Sequence, residues 1–484
     1  MEIVLTAERC LMSNYHGSLF LGFMSCAPKN LIPSKIFFSL ICPPVKVEDG
    51  KAVLAPYGTR KIEAALVENG FEVAVVPPEK IDKYLNKARI IGITTNDPLG
   101  LGPASTTFSG RYGLVKEESY NAHCFKELMR IVRRSRAKIV VGGAGAWQLA
   151  DERIMDDFGI DIVVVGEGEK TVPEIFRRIL DGEDVRGVFF GEVVEKFPII
   201  RGATVGGIVE IARGCGRGCK FCQPTLQKLR NRSLEEIMKE VEINAKVNKF
   251  VTLHAEDVLR YKADRFRVNE EEILKLFSSV SKVCKVGISH FSLASVASAE
   301  RVVSEISNIL GIPRKDQPWL AGQTGIETGS VRLVKEYMAG KALPFKPEEW
   351  CDVVEQAFGI CSDNHWIPCA TLMIGFPGER EDDVLRTVEL LDRLKDYKSL
   401  IVPLFFVPLS NLKDQKPFTS EDLKPYHWLL LRKCWEHDVR WIKPLADDYL
   451  AKMPKISRIF LKKFIDWAIR RGEKSLRELI KISA

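Results

Sequence analysis

Ile211-Ala-Arg-Gly-Cys-Gly-Arg-Gly-Cys-Lys-Phe-Cys222 decides how this chain reads. Its cysteines, Cys215, Cys219 and Cys222, stand in a C-x3-C-x2-C spacing, with Gly214, Gly216 and Gly218 between or beside them. Iron–sulfur clusters are held by cysteine thiolates, and a loop this short aims three of them at one cluster only if its backbone turns sharply. Glycine permits that, because it reaches positive φ without steric cost. Three local thiolates on a 4Fe–4S cube leave one iron open to another ligand. A structural zinc site wants four ligands, usually from a second C-x2-C or H-x3–5-H pair, and no such pair closely follows this one. A disulfide framework is disfavoured by the odd local count and by twelve cysteines spread thinly over 484 residues.

A chain of that length, 46% hydrophobic, has material for two or three domains with full cores. No run approaches the roughly 18 apolar residues of a membrane span. The start, Met-Glu-Ile-Val-Leu-Thr-Ala-Glu-Arg, lacks the basic head and apolar middle of a signal peptide; with the sparse cysteines, this reads as a protein of the reducing cytoplasm. The net charge of +7, from 71 basic and 64 acidic residues, permits an anionic partner without demanding one.

In the N-terminal third, runs rich in Ile, Val and Phe at 35–41, 71–76, 88–94, 137–141, 161–165 and 187–190 predict buried strands. Helical stretches at 58–69, 120–134, 150–158 and 171–180 lie between them, the last opening on a Thr171/Glu174 capping box. Such alternation predicts an α/β fold: a doubly wound parallel sheet of flavodoxin or Rossmann type, with ligands at the carboxyl ends of its strands. The long loop 95–117, rich in Gly, Ser and Thr, is expected to face a cofactor or substrate.

Strand-like runs recur at 208–212, 250–253, 286–289, 322–326, 369–374 and 400–406. The helix after the first opens on a Ser233-x-x-Glu236 box and puts Ile237, Val241 and Ala245 on one face. Polar motifs fall at the strand ends: His254-Ala-Glu-Asp257 after the second, Ser292 and Ser295 after the third, Gly325-Ile-Glu-Thr-Gly329 after the fourth and Ile374-Gly-Phe-Pro-Gly-Glu379 after the fifth. From Pro417 the chain reads as helical.

These motifs together resemble the radical S-adenosylmethionine (radical SAM) superfamily, whose signature is C-x3-C-x2-C with an aromatic, here Phe221, before the last cysteine. The segment Val140-Val-Gly-Gly-Ala, followed by Asp161-Ile-Val-Val-Val-Gly-Glu-Gly-Glu169, resembles the cobalamin-binding-like domain that precedes many such barrels. The departure is that no Asp-x-His-x-x-Gly follows the strand, so no lower histidine ligand to cobalt is offered. The resemblance implies three regions: 1–198, cobalamin-binding-like; 199–412, a partial (β/α)6 barrel; and 413–484, a helical extension. It implies that Cys215, Cys219 and Cys222 ligate a 4Fe–4S cluster. Phe221, Glu256, Asp257, Ser292, Glu327, Thr328, Gly375, Pro377 and Gly378 are expected to seat S-adenosylmethionine.

The implied reaction is reductive cleavage of S-adenosylmethionine to a 5′-deoxyadenosyl radical, for cobalamin-linked methyl transfer to an unactivated carbon. An external one-electron reductant such as a ferredoxin or flavodoxin would drive it. Alternatives are a cobalamin-independent radical rearrangement or C–C or C–S bond formation, and, from another class, a metal-cluster protein that binds nucleic acid. The last would use the six basic residues near the loop, Arg213, Arg217, Lys220, Lys228, Arg230 and Arg232; a solvated face that eases cluster charge is the competing reading. The methylthiotransferase branch, which anchors a second cluster on three N-terminal cysteines, is disfavoured, because of Cys10, Cys26, Cys42 and Cys124 only Cys26 and Cys42 are expected to be neighbours.

Overall fold

In the computed structural model, which describes residues 2–17, 19–223, 227–450 and 455–483, continuous apolar runs become strands covered on both faces. Ile3–Ala7 (β1) is buried at every position, as expected of a strand inside a parallel sheet. Val73–Val75 (β2), Ile90–Thr94 (β3), Lys138–Gly142 (β4), Ile162–Val165 (β5) and Gly187–Phe190 (β6) join it in the order β2-β1-β3-β4-β5-β6. Every pairing is parallel. Leu5, Val75, Ile90 and Val140 pack on one face with Phe176, while Val4, Ile91, Val141 and Val163 pack on the other with Phe125. The chain leaves β1 for β2 on one side and returns for β3 on the other, so the switch point of the sheet lies between β1 and β3.

The structure departs from the sequence expectations at three places here. The run 35–41 is helical, as Ser34–Ile36 and Phe37–Ile41, with Phe37 stacked on Tyr120 at 3.7 Å. A short apolar run cannot be told from a buried helix by periodicity, and β1 takes the first place in the sheet. The loop 95–117 contains the helix Pro103–Phe108, with proline in its first turn. The Thr171/Glu174 box does not form: Lys170 stands at the cap, and Thr171 Oγ1 accepts from Glu192 N at 3.2 Å. The Ser233/Glu236 box forms as expected.

The chain divides into two units, Met1–Val209 with Arg232–Thr252, and Glu210–Asn231 with Leu253–Ala484. The helix Leu234–Ala245 belongs to the first and carries Glu240 to a buried meeting with Lys61 and Arg232. Six strands run in sequence through the barrel region: Ile208–Glu210 (β7), Phe250–His254 (β8), Lys285–Ile288 (β9), Leu320–Glu327 (β10), Trp366–Ile374 (β11) and Leu400–Phe405 (β12). β10, β11 and β12 pair in parallel, with the helices Trp350–Asp363 and Glu381–Leu394 between them in sequence. The helical tail comprises Pro425–Leu450 and Lys455–Ser483. Asp438, from the first of these, accepts from Ile401 N at 2.7 Å on β12. Among the described residues no helix is long and apolar enough to cross a membrane.

Candidate functional site

Ala212–Arg213 pairs antiparallel with Arg230–Asn231, so the cysteine segment is a hairpin excursion from the strand ends. It turns at its glycines: Gly214, Gly216 and Gly218 have φ of 80°, 69° and 77°, a region that costs other residues roughly 1–2 kcal/mol. Space is also short, since a Cβ on Gly214 would stand 2.4 Å from the Lys228 carbonyl oxygen. Cys215 and Cys219 are buried and Cys222 half-buried; Cys222 N donates to Cys219 O at 3.2 Å. Burial pushes the Cys219 thiol up to about 11 against the pull of Lys341, and raises Cys215 against the pull of Arg217. Among the described residues no three His, Cys, Asp or Glu side chains are gathered tightly enough to hold a metal ion.

What suits the loop to a thiolate-bound metal is the donor set and its cationic frame. Arg217 donates through Nη1 to the carbonyls of Gly340, Lys341 and Leu343 at 3.2, 3.1 and 2.8 Å. Its Nη2 reaches Asp257 Oδ2 at 3.2 Å and Ser295 Oγ at 3.1 Å. Arg260 donates to Cys215 O and stands 3.7 Å from Cys215 Sγ. Lys341 Nζ lies 2.6 Å from Glu327 Oε1. Burial alone would lower the Lys341 ammonium, but the fields of Glu327, Cys219 and Cys222 leave it raised. Glu327 holds φ +63°, and a Cβ on Gly325 would come within 1.9 Å of its Oε1, so this pair folds back over a bare backbone. Sequence reasoning did not single out Arg260, three residues past Asp257, or Lys341; only the fold brings them to the cysteines.

The residues expected to seat a cofactor divide by what they touch. Of these residues, Glu256 alone keeps a carboxylate oxygen, Oε2, buried and without a hydrogen-bond partner; burial first, then Glu210, raises its pKa. Asp257 is committed to scaffolding, accepting from Ser295 Oγ at 2.6 Å and Ser292 N at 3.1 Å as well as from Arg217. Ser292 Oγ is buried and unpartnered. Thr328 is turned into packing, its hydroxyl 3.2 Å from that of Thr387. Gly375 has φ +86° and its N–H donates to Glu379 Oε2 at 2.9 Å, with Phe418 packed where a Cβ would be. Pro377 O accepts from Tyr337 Oη at 2.7 Å, and Gly378 O from Arg332 Nη2 at 2.9 Å. Phe221 meets Phe376 edge-on at 5.8 Å, in an apolar cluster with Leu333 and Tyr337.

Most of the basic residues near the loop are used internally. Arg213 pairs with Glu210 at 2.7 Å, Arg217 with Asp257, and Arg232 with Glu240 at 2.8 Å, while Arg230 donates to Gln227 at 3.2 Å. That leaves little charge for a phosphate backbone. His254 and His290 stand ring to ring at 5.8 Å, His254 Nδ1 2.9 Å from Ser289 Oγ; burial drives His290 down to about 3, so it is neutral at physiological pH.

The N-terminal cysteines are arranged otherwise than expected. Cys10 Sγ lies 3.4 Å from Cys124 Sγ, and a hydrogen bond with Cys10 lowers the Cys42 thiol. All three are buried. Cys26 stands apart, accepting from Asn121 Nδ2 at 3.6 Å. Cys10 and Cys124 are 114 residues apart in sequence, a distance no local pattern spans. Around the switch point Thr6 Oγ1, Glu8 Oε2, Thr95 Oγ1, Ser105 Oγ and Thr106 Oγ1 are buried without hydrogen-bond partners. Burial pushes the Glu8 carboxyl up to about 8.

Residues 209–391 match the radical SAM superfamily, so the chain carries a radical SAM domain; the cofactors of that class are a 4Fe–4S cluster and S-adenosylmethionine. Among particular relatives, it is 25% identical over 437 residues to an uncharacterised protein of Methanocaldococcus jannaschii, covering 76% of this chain and 79% of that one. It is 28% identical over 281 residues to the tRNA-2-methylthio-N(6)-dimethylallyladenosine synthase of Clostridium perfringens, covering 55% of this chain and 58% of the synthase. The fold is similar to that of the radical S-adenosylmethionine methyltransferase TsrM from Kitasatospora setae, solved with cobalamin and a [4Fe-4S] cluster bound. That likeness has a TM-score of 0.53 at 15% identity, covering 85% of this chain and 74% of that one.

Proposed function

We propose that Cys215, Cys219 and Cys222 hold a 4Fe–4S cluster at which S-adenosylmethionine is cleaved, and that the enzyme methylates an unactivated carbon with cobalamin carried by the N-terminal sheet. Held by these three thiolates, a 4Fe–4S cluster would supply one-electron reduction of the sulfonium, with methionine as the leaving group and a 5′-deoxyadenosyl radical as the product. The observation that carries this reading is the glycine-turned hairpin, with its thiols framed by Arg217, Arg260 and Lys341. Glu256, with its unpartnered oxygen, is the acceptor for the ammonium of S-adenosylmethionine. Lys341, oriented by Glu327, is the cation for its carboxylate. The turn Gly375, Pro377 and Gly378, itself held by Glu379, Tyr337 and Arg332, is the surface on which the adenine would lie, and Phe221 closes the apolar side. Asp257 and Thr328 work through their neighbours, and Ser292, with its unpartnered hydroxyl, is a further donor to the cofactor.

Cobalamin fits the N-terminal unit on the strength of the unpartnered polar atoms of Thr6, Glu8, Thr95, Ser105 and Thr106, because buried polar groups need partners and a large polar ligand supplies them. It would be held without a protein ligand to cobalt. An external one-electron donor completes the system. The test is anaerobic reconstitution with iron, sulfide and hydroxocobalamin, followed by reduction and S-adenosylmethionine. The expected result is 5′-deoxyadenosine or a methylated product, with cobalamin retained on gel filtration; cleavage by protein that retains none overturns the cobalamin half.

A second reading, sulfur insertion in the manner named for the methylthiotransferase relatives, is favoured by the meeting of Cys10, Cys42 and Cys124. It predicts about eight iron atoms per chain rather than about four. Joint replacement of the three cysteines by alanine would then halve bound iron, and would leave it unchanged under the first reading.

A further inference from the structure

Arg260 is a buried cation, 4% exposed, and among the described residues no carboxylate stands within salt-bridge distance of it. Arg217, its neighbour, is balanced by Asp257 at 3.2 Å. Arg260 is instead fixed by uncharged partners: Nη1 donates to Cys215 O, Nη2 to Arg265 O at 2.6 Å, and the guanidinium carbon lies 4.5 Å from the centre of the Phe266 ring. Its own N–H donates to Asp257 O at 3.0 Å, closing the turn Val258–Arg260. The remaining electron-rich atom in reach is Cys215 Sγ, 3.7 Å from Nη1. Buried charges are stable in proteins when paired or bound to a counter-charge, and an arginine does not escape by losing its proton.

We propose that Arg260 is the counter-ion and sulfur hydrogen-bond donor of the cluster-bound Cys215 thiolate, and that it sets the reduction potential of the cluster. The inference rests on the cluster reading of the cysteine trio and adds a positioning residue that the family motifs do not contain. The physical reason is charge. Reduction adds an electron to an assembly already made negative by three thiolates, so a fixed cation and an N–H···S contact stabilise the reduced form more than the oxidised one. The aromatic face of Phe266 and the two carbonyls hold the guanidinium in place when the charge changes, which is the orienting work expected of the groups around a metal site. Lysine would keep the charge but not the planar fork that reaches two carbonyls and the sulfur together.

The experiment compares wild type, Arg260→Lys and Arg260→Gln after anaerobic reconstitution, reading bound iron and sulfide and then the potential of the reduced cluster's electron paramagnetic resonance signal. Arg260→Gln is expected to titrate at a more negative potential than wild type, with Arg260→Lys between them. If Arg260→Gln fails to retain iron while Arg260→Lys loads and still titrates below wild type, the counter-ion role stands. Both variants loading fully and titrating at the wild-type potential overturns the proposal while leaving the cluster in place. Wild-type chain that takes up no iron removes the cysteine reading itself, and this inference with it.

Discussion

Lys61 Nζ stands 2.7 Å from Glu240 Oε1, with the two side chains 2% and 0% exposed. The other oxygen of Glu240 is 2.8 Å from Arg232 Nη1, also buried, and Ile200 N donates to Oε1 at 3.2 Å. One carboxylate therefore serves two buried cations from distant parts of the chain. Glu240→Gln removes the charge that the two cations share, and breaking a buried ion pair costs about 3–5 kcal/mol. Urea unfolding followed by circular dichroism should show the loss, and an unchanged midpoint would count against this network as a stabilising element.

Gly214 and Gly70 separate local strain from crowding. Both have positive φ, 80° and 84°, but a Cβ at Gly214 meets the Lys228 carbonyl at 2.4 Å while nothing lies within 4 Å of one at Gly70. Gly70→Ala should cost roughly 1–2 kcal/mol of backbone strain and leave bound iron as in wild type. Gly214→Ala should displace the hairpin and lower bound iron after reconstitution, measured by a ferrozine assay. Equal iron in the two variants would mean that the loop tolerates the shift.

Glu8 makes stability depend on pH. Burial raises its carboxyl from the usual 4.5 to about 8, so the folded chain holds its proton more tightly than the unfolded chain. Its contribution is complete below about 4.5 and is lost as pH rises to about 8, a loss on the order of 4 kcal/mol at 1.36 kcal/mol per pH unit. Glu8→Gln should therefore be more stable than wild type at pH 8 and similar to it at pH 4. Melting curves at the two pH values, with the order reversed, would refute the assignment.

Glu256→Gln tests the proposed contact with S-adenosylmethionine. Loss of a hydrogen bond to a charged group costs about 1.5–3 kcal/mol, so affinity for S-adenosylmethionine should fall by roughly tenfold or more at unchanged iron content. Equilibrium dialysis with the labelled cofactor measures it. Affinity equal to wild type would return Glu256 to a structural role.

Much of this was legible in the sequence, for reasons that can be named. The strands β3, β4 and β5 announce themselves through runs of Ile and Val, because strands covered on both faces need apolar residues at nearly every position. The glycines of the cysteine hairpin were read from conformational freedom alone, and their φ angles bear that out. The run 35–41 misled because a short apolar run does not reveal its period. Asp257 and Glu256 are adjacent and chemically alike, yet Arg217 claims one and leaves the other with a bare oxygen. The meeting of Cys10 with Cys124 and the approach of Arg260 to Cys215 are products of tertiary folding, invisible to any window along the chain.

The chain leaves its first unit after Val209, comes back at Arg232 and departs again after Thr252. Scissors applied once anywhere along it do not yield two whole pieces. A fragment stopping at Val209 would forfeit the helix that bears Glu240 and strand Lys61 without its anion; one starting at Leu253 would lack the hairpin with all three of its sulfurs. Anyone wishing to study the halves separately must splice the 232–252 segment back onto the first and the 210–231 segment onto the second, because the chain passes from one unit to the other three times.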